Sequence, residues 1–481
     1  TSHLIDSYRK SLGYGSNGDM HNDLCKNYTD FIETNLAAVE HHIKVSEKNR
    51  HREEEEDPSK GDYWHEISLT LHQLAGIDDG YSNLSNPKHH SKLSPCGVFL
   101  INMADEQEDI DEYIDDDGLP KTDNPGHMNK CSAMVKWLPH QGEVLVAHNT
   151  WAKYSSMLRI LKKYTFNFST SKAKSISFSS YPGLVYSDDD FYITSQNLII
   201  QETTIDTYDS GVYDGLEAKN VVMEFIRNVV ANRLATSGSQ WAKLFSRHNS
   251  GTYNNQFMIV DLKELDTKGR PVIKPGFFTV LEQQPNMIRW EDMTDYIRST
   301  GYWASYNVPF FFEIYEYSGF LKQFQKVGDY RSHRETARAK IFAREEASIV
   351  NVTSLYHLMR YNDFTKDPMS RCEACSPPYS SELTIAARSD LNDPKGKYSE
   401  NDLKFSLSGA IDAKVTSSQL AKHLEFVAVS GPTDESQPAF DWSKFPGNEA
   451  KHLDQPKVWK FKPLVTKWND GNNFPNYKFN L

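Results

Sequence analysis

Residues 131–151 read CSAMVKWLPHQGEVLVAHNTW. Ala133, Val135 and Trp137 recur at every second position, Gln141-Gly142 reverses the chain, and Val144, Leu145, Val146 and Ala147 lead back into His148-Asn149-Thr150-Trp151. Period-two apolar spacing, a glycine-bearing turn and a β-rich return arm together predict a β-hairpin. Cys131 opens the hairpin, and the polar end of the second arm returns beside it. Upstream, residues 106–130 (EQEDIDEYIDDDGLPKTDNPGHMNK) are acidic and broken by Gly and Pro, which predicts an exposed, cleavable segment rather than a packed element.

Outward from the hairpin, helices and strands alternate in blocks. Residues 21–48 place Leu24, Tyr28, Phe31, Ile32, Leu36 and Val39 at helical spacing, and REEEEDPSK (52–60) is expected to end that helix in a charged loop. DYWHEISLTLHQLAGIDDGY (62–81) reads as a second helix closing at Gly76 or Gly80, and CGVFLINMA (96–104) as a buried strand. After the hairpin, SSMLRILKKY (155–164) is predicted to be an amphipathic helix, while residues 175–205 read as three short strands separated by Pro-Gly and an Asp cluster. Two helices follow over 217–247, the second with a serine N-cap, and QFMIVDLKEL, FFTVLEQ and YWASYNVPFFFEIY supply more strand material. From residue 360 onward the pattern weakens towards long ordered loops. Helical pairs on either side of many strands describe a layered architecture of helices and sheets.

Composition narrows the function. The chain has 481 residues, ample for a large core, and no run approaches the roughly 20 apolar residues of a spanning helix; a soluble protein without a transmembrane segment is expected. The charge is −12, from 53 basic and 65 acidic residues, and no basic cluster with interleaved aromatics suggests nucleic acid. Protonating all 17 histidines would bring the charge to about +5, which suits an acidic compartment. Four Asn-X-Ser/Thr sequons, at Asn27, Asn83, Asn167 and Asn351, make those residues candidate glycosylation sites and lean towards the secretory pathway. The opening at Thr1 without a leader-like segment is expected to reflect earlier trimming.

Several familiar motifs are missing or unsupported. GYGSNG (13–18) matches a dinucleotide fingerprint only formally, because no strand feeds it, and G-x-S-x-G, P-loop and H-E-x-x-H patterns do not occur. No cofactor or metal is called for. Cys372 and Cys375 are read as a local disulfide, since a zinc site would want a second pair. Cys25 and Cys96 remain as candidates for a second disulfide. That leaves Cys131 as the odd cysteine, either an inert buried thiol or a nucleophile.

Cleavage between Lys130 and Cys131 would give Cys131 a free α-amino group close to its own sulfur, so that one residue supplies nucleophile and base. A preset donor such as the Asn307 amide could then stabilise the tetrahedral intermediate. The hairpin stretch, followed by FSSYPG, DDFYI, ETTI, ANRLA, FSRHNSGTYNNQFMIVD, TGYWASYNVPFF, RAKIF, LMRYNDF, CEAC, ARSDL and KVTS, resembles the phospholipase B-like (lamina ancestor) family from about residue 20 to the end. That family resembles the N-terminal nucleophile hydrolases. The resemblance implies an α+β fold, a four-layer αββα sandwich in one domain, self-cleaved into associated fragments 1–130 and 131–481.

By motif, the resemblance makes Cys131 the nucleophile and Asn307 the oxyanion donor, with Arg338 orienting or charge-balancing the amine end. His148, Trp151 and Thr204 would line the substrate pocket, although a one-residue register slip would exchange Thr204 for Thr203. It further implies a lysosomal or secreted glycoprotein acting on a lipid ester or an N-acyl amide, with a catalytically idle lipid-binding protein as the competing reading. The residues before Cys131, His-Met-Asn-Lys, depart from the short small-residue sequence usual in the family.

Overall fold

In the computed structural model the described residues are 2–12, 23–56, 58–81, 97–114, 130–447 and 452–468. The predicted hairpin is present, with Lys130–Leu138 pairing antiparallel to Glu143–Lys153 in the register Cys131↔Thr150 and Val135↔Val146. Its turn depends on Gly142, whose φ of +63° is open to glycine, and a Cβ there would lie 2.8 Å from Pro271 Cγ.

The hairpin forms the middle of a seven-stranded antiparallel sheet. In spatial order the strands are Tyr302–Ser305, Lys130–Leu138, Glu143–Lys153, Asp412–Ser417, Val427–Ser430 and Leu464–Val465, with Ser408–Ala410 also pairing to the second hairpin arm. A second antiparallel sheet runs Met287–Asp292, Phe278–Gln284, Asn255–Asp261, Leu198–Thr204, Phe191–Thr194, Ser175–Ser180 and Ile160–Thr165.

One apolar cluster joins the two sheets, with Ala133, Val135 and Val146 from the first and Ile193, Ile199 and Val260 from the second. The same cluster takes in Leu355 and Tyr356 of helix Val352–Met359 beside the first sheet. A separate cluster packs Ile32, Val39, Ile67, Leu74, Phe225 and Trp241, from four helices, against Phe178, Ile200 and Phe257 of the second sheet. The result is an αββα sandwich whose central strands are covered on both faces, which is why nearly every residue of the hairpin is buried.

Some local expectations are overturned. Residues 98–102 form a short buried helix rather than a strand, because a brief, wholly buried apolar run carries no period to distinguish the two. The 155–164 stretch is a 3₁₀ turn at Tyr154–Ser156 followed by the edge strand Ile160–Thr165, paired with Ser175–Ser180. There the helix-favouring leucines and lysines yield to strand pairing, and the Lys162 ammonium donates to Tyr181 O and Leu184 O.

The acidic segment is also not uniformly exposed. Gln107–Ile114 is helical, and the buried Glu106 carboxylate accepts the N–H groups of Glu224 (2.9 Å) and Phe225 (3.4 Å) at the start of helix Glu224–Leu234. Its two oxygens thereby satisfy orphan N–H donors of the helix start. The first long helix continues through the charged run to Glu56, and the second passes both glycines to end at Tyr81. Residues 217–223 precede the helix at 224, YWASYNVPFFFEIY is a strand only over Tyr302–Ser305, and the loops after 360 give way to sheet strands from 408.

Cys372 and Cys375 are disulfide-bonded, and Asn167 and Asn351 are exposed. The side chains of Cys25 and Asn27, together with residues 13–18, Asn83, Cys96 and 115–129, lie outside the described residues. Among the described residues no helix is long and apolar enough to cross a membrane.

Candidate active site

Cys131 is the second residue of its strand and is only 2% exposed. Its main chain is gripped at both polar atoms. The Cys131 N–H donates to Asn307 Oδ1 at 3.1 Å, and Arg338 Nη1 donates to the Cys131 carbonyl at 2.6 Å. Asn307 adopts φ +66°, a conformation asparagine tolerates, and passes its Nδ2 to Thr204 O at 2.7 Å. Its amide therefore faces Cys131 with the acceptor end, which suits holding an amine, while the donor end expected for an oxyanion is engaged by Thr204. Arg338 also lies 4.4 Å from the centre of the Trp151 ring, a cation–π contact that fixes its plane.

The sulfur sits in a closed polar cluster. Cys131 Sγ is 3.9 Å from Glu202 Oε1, and ligand-type atoms of Cys131, His148 and Glu202 lie within 4.8 Å of one another. Burial, followed by the Glu202 charge, pushes the Cys131 thiol well above its ordinary range. Burial and the neighbouring Lys414 cation pull His148 well below the usual histidine value, and burial with Asp190 and Glu224 pushes Glu202 up. Burial thus shifts each of the three groups towards its neutral form. Their donor set has metal-ligand chemistry, yet the Lys414 ammonium acts on all three groups and works against a bound cation.

Below Thr150, the register partner of Cys131, lies a network of buried charges. The Thr150 hydroxyl donates to Asp189 Oδ1 at 3.1 Å, and Lys414 Nζ donates to Thr150 Oγ1 at 2.6 Å and to Asp412 Oδ2 at 2.8 Å. Arg159 pairs with both Asp189 and Asp412. Burial alone would raise Asp189, but the Arg159 and Lys414 cations outweigh it and hold the carboxylate below its usual range. These paired charges fix the hairpin floor electrostatically.

Immediately before Cys131, Lys130 points into a second set of carboxylates. Its Nζ lies 2.5 Å from Asp402 Oδ2 and 3.1 Å from Glu382 Oε1. A cleft there is lined by Lys130, Asn307, Tyr330, Arg331, Arg338 and Glu382 among others.

The structure thus brings Cys131, His148, Trp151, Thr204, Asn307, Arg338 and Lys130 into one region, with differing access. His148 is fully buried beside the sulfur, not on an open wall. Thr203 Oγ1 is paired with Ser305 Oγ at 2.6 Å, whereas Thr204 Oγ1 is buried and has no hydrogen-bond partner among the described residues, so within that set Thr204 is the one of the two with an unengaged hydroxyl.

Sequence reasoning missed Asn149, Glu202, Lys414, Glu382 and Asp402. Asn149 Oδ1 accepts from Ser132 N and Trp151 Nε1, each at 3.0 Å, while its Nδ2 donates to Met359 O and Ile385 O. A polar residue inside an otherwise buried strand must be paired, and that rule could have flagged it. Glu382 sits in a turn and Asp402 in the single 3₁₀ turn Asn401–Leu403, both too short for any periodicity to mark them.

The family model described as Phospholipase B matches residues 8–466. Phospholipase B-like 2 of Rattus norvegicus is 40% identical over 92% of this chain and 75% of its own length. Phospholipase B-like 1 of Caenorhabditis elegans is 40% identical over 97% of this chain and 80% of its own. Among solved structures, penicillin V acylase from Agrobacterium tumefaciens shows a TM-score of 0.36 at 9% identity, covering 62% of this chain and 82% of that one. A mutant conjugated bile acid hydrolase from Clostridium perfringens gives 0.36 at 12%, covering 72% and 100%. With a family match across nearly all described elements and relatives at this identity, the chain belongs to the phospholipase B family.

Proposed function

We propose that this chain is the precursor of an acyl hydrolase with an N-terminal cysteine nucleophile, activated by cleavage between Lys130 and Cys131. The observation that carries the reading is the double grip on Cys131, with Asn307 on its nitrogen and Arg338 on its carbonyl. This arrangement fixes the scissile amide nitrogen and leaves the sulfur as the movable group.

In the first step Cys131 Sγ bonds to the Lys130 carbonyl carbon, the C–N bond breaks, and the nitrogen takes up the thiol proton. Water then hydrolyses the thioester, leaving a Lys130 carboxylate, a free thiol and an α-amino group. Asn307 Oδ1 is placed to hold that amine, which then serves as general base for the thiol. In turnover the thiol attacks an acyl carbonyl, the alcohol or amine leaves with the proton, and water releases the acid. The family description favours a phospholipid acyl ester, and the same chemistry serves an N-acyl amide. Helices upstream of residue 130 share the Ile32–Leu74 cluster with the second sheet, which supports fragments that stay associated. Exposed sequons at Asn167 and Asn351 and the Cys372–Cys375 disulfide support a secreted or lysosomal glycoprotein.

A second reading, an idle lipid-binding protein, draws on the burial of Cys131. Mass spectrometry after acid incubation separates the two: fragments 1–130 and 131–481 are expected from the wild type, and only the intact chain from Cys131→Ala. With mixed phospholipids and N-acyl amides, acid release is expected to vanish in Cys131→Ala. A Lys130–Cys131 bond that stays whole under every condition would defeat the nucleophile reading.

A further inference from the structure

The residue just before the cut is a lysine, and the fold has built a buried receptor for it. The side chains of Lys130, Glu382 and Asp402 are 7%, 11% and 12% exposed. The Tyr330 hydroxyl is 3.2 Å from Glu382 Oε1 and from Asp402 Oδ2. Asp402 has another cation, Arg331, at 3.2 Å. Among the described residues Glu382 has no ion-pair partner except Lys130, with Arg338 acting on it only through space. Cleavage and departure of the strand end would take the ammonium away and leave Arg331 in contact with Asp402 alone, and Glu382 with only the longer-range charge of Arg338. Buried charge in that state strongly favours a replacement cation.

The position of this receptor ties it to catalysis. The cleft that Lys130 and Glu382 line is bounded on its other side by Asn307 and Arg338, which grip Cys131. Lys130 contributes the carbonyl that the thiol attacks, so its side chain marks the acyl side of the reacting carbon. We propose that Glu382, Asp402 and Tyr330 form a cation subsite, filled by Lys130 in the continuous chain and, after cleavage, by a cationic nitrogen of the substrate. The nitrogen sits about one lysine side chain from the reacting carbonyl. It is an amine carried on the acyl group, the side of the reacting carbon that Lys130 occupies. Its catalytic part rests on the nucleophile reading above, whereas the subsite itself does not.

The first test empties the subsite without cleavage. Full-length Lys130→Ala is melted with n-propylammonium, with sodium at equal ionic strength and with n-propanol. A saturable rise in melting temperature is expected for n-propylammonium alone, absent from the wild type and from the variant that also carries Glu382→Gln and Asp402→Asn. An equal rise with sodium or propanol, or a rise that survives the two added changes, overturns the subsite.

The second test uses processed wild-type protein, so it does not depend on how the variant folds. Lysyl and norleucyl anilides are compared. A preference of about tenfold in kcat/KM for the lysyl anilide, the size of a charge-assisted contact, is expected to collapse in Glu382→Gln. Equal rates for the two anilides overturn the proposal. Propylammonium rescue with no hydrolysis of any substrate would defeat the nucleophile reading and uphold the subsite.

Discussion

Cys131 is held at its nitrogen by Asn307 and at its carbonyl by Arg338, and these two contacts define where the sulfur can swing. Because Asn307 has φ +66°, glycine removes the side chain there without straining the backbone. Asn307→Gly is expected to slow appearance of the 131–481 fragment by about a hundredfold, the cost of misplacing a reacting group by about an ångström. A gel time course measures it, and an unchanged rate would reduce the contact to a packing detail. Burial and Lys414 lower the proton affinity of His148 beside the sulfur and make it a weak base, so the amine released from Cys131 is the group left to take the thiol proton in the proposed mechanism.

At the scale of elements, the hairpin turn and the Glu106 anchor are the two joints on which the site depends. Gly142→Ala places a side chain in the left-handed region and against Pro271, and is expected to cost about 1–2 kcal/mol. A lowered urea midpoint would show it, and an unchanged midpoint would mean the turn relaxes freely. Glu106→Ala strips the carboxylate from the N–H groups of Glu224 and Phe225. A loss of about 1–3 kcal/mol is expected, with faster amide exchange in the first turn of helix Glu224–Leu234. Exchange that speeds only in Gln107–Ile114 would place the effect on the wrong side of the joint.

For the whole molecule, buried carboxyls set the pH response. Burial raises Glu106 and Glu282 to about 7 and Asp190 to about 8, and drives Glu202 and Glu224 well up. A carboxyl whose folded pKa exceeds its unfolded value of about 4 binds its proton more tightly when folded. Its stabilisation is full below that unfolded value and is lost as pH rises through the folded one. His148, His248 and His333 are lowered and so oppose this, but only below about 6.5. Lys162, lowered to about 7 chiefly by burial, opposes above 7 with one proton against several carboxyls. The melting temperature is therefore expected to fall from pH 6 to pH 8, and a rise over that interval in a fluorescence melt would contradict the burial of these acids as neutral groups.

The local sequence determined the hairpin, the three strands of 175–205, the serine-capped helix and the Cys372–Cys375 bridge, because period, turn chemistry and spacing act over a few residues. It also singled out Cys131, through an odd cysteine set after an acidic stretch interrupted by Gly and Pro. It misread 98–102 and 155–164, where an apolar run without period and an edge strand take their form from what packs against them. It could not reveal that Glu382 and Asp402 close on Lys130, or that Glu202 and Lys414 flank the sulfur. Glu382 and Asp402 lie more than 250 residues from Lys130; only the tertiary fold, which returns the turn at Glu382 and the 3₁₀ turn Asn401–Leu403 to the start of the hairpin, brings such groups within hydrogen-bonding distance, where burial then sets their charge.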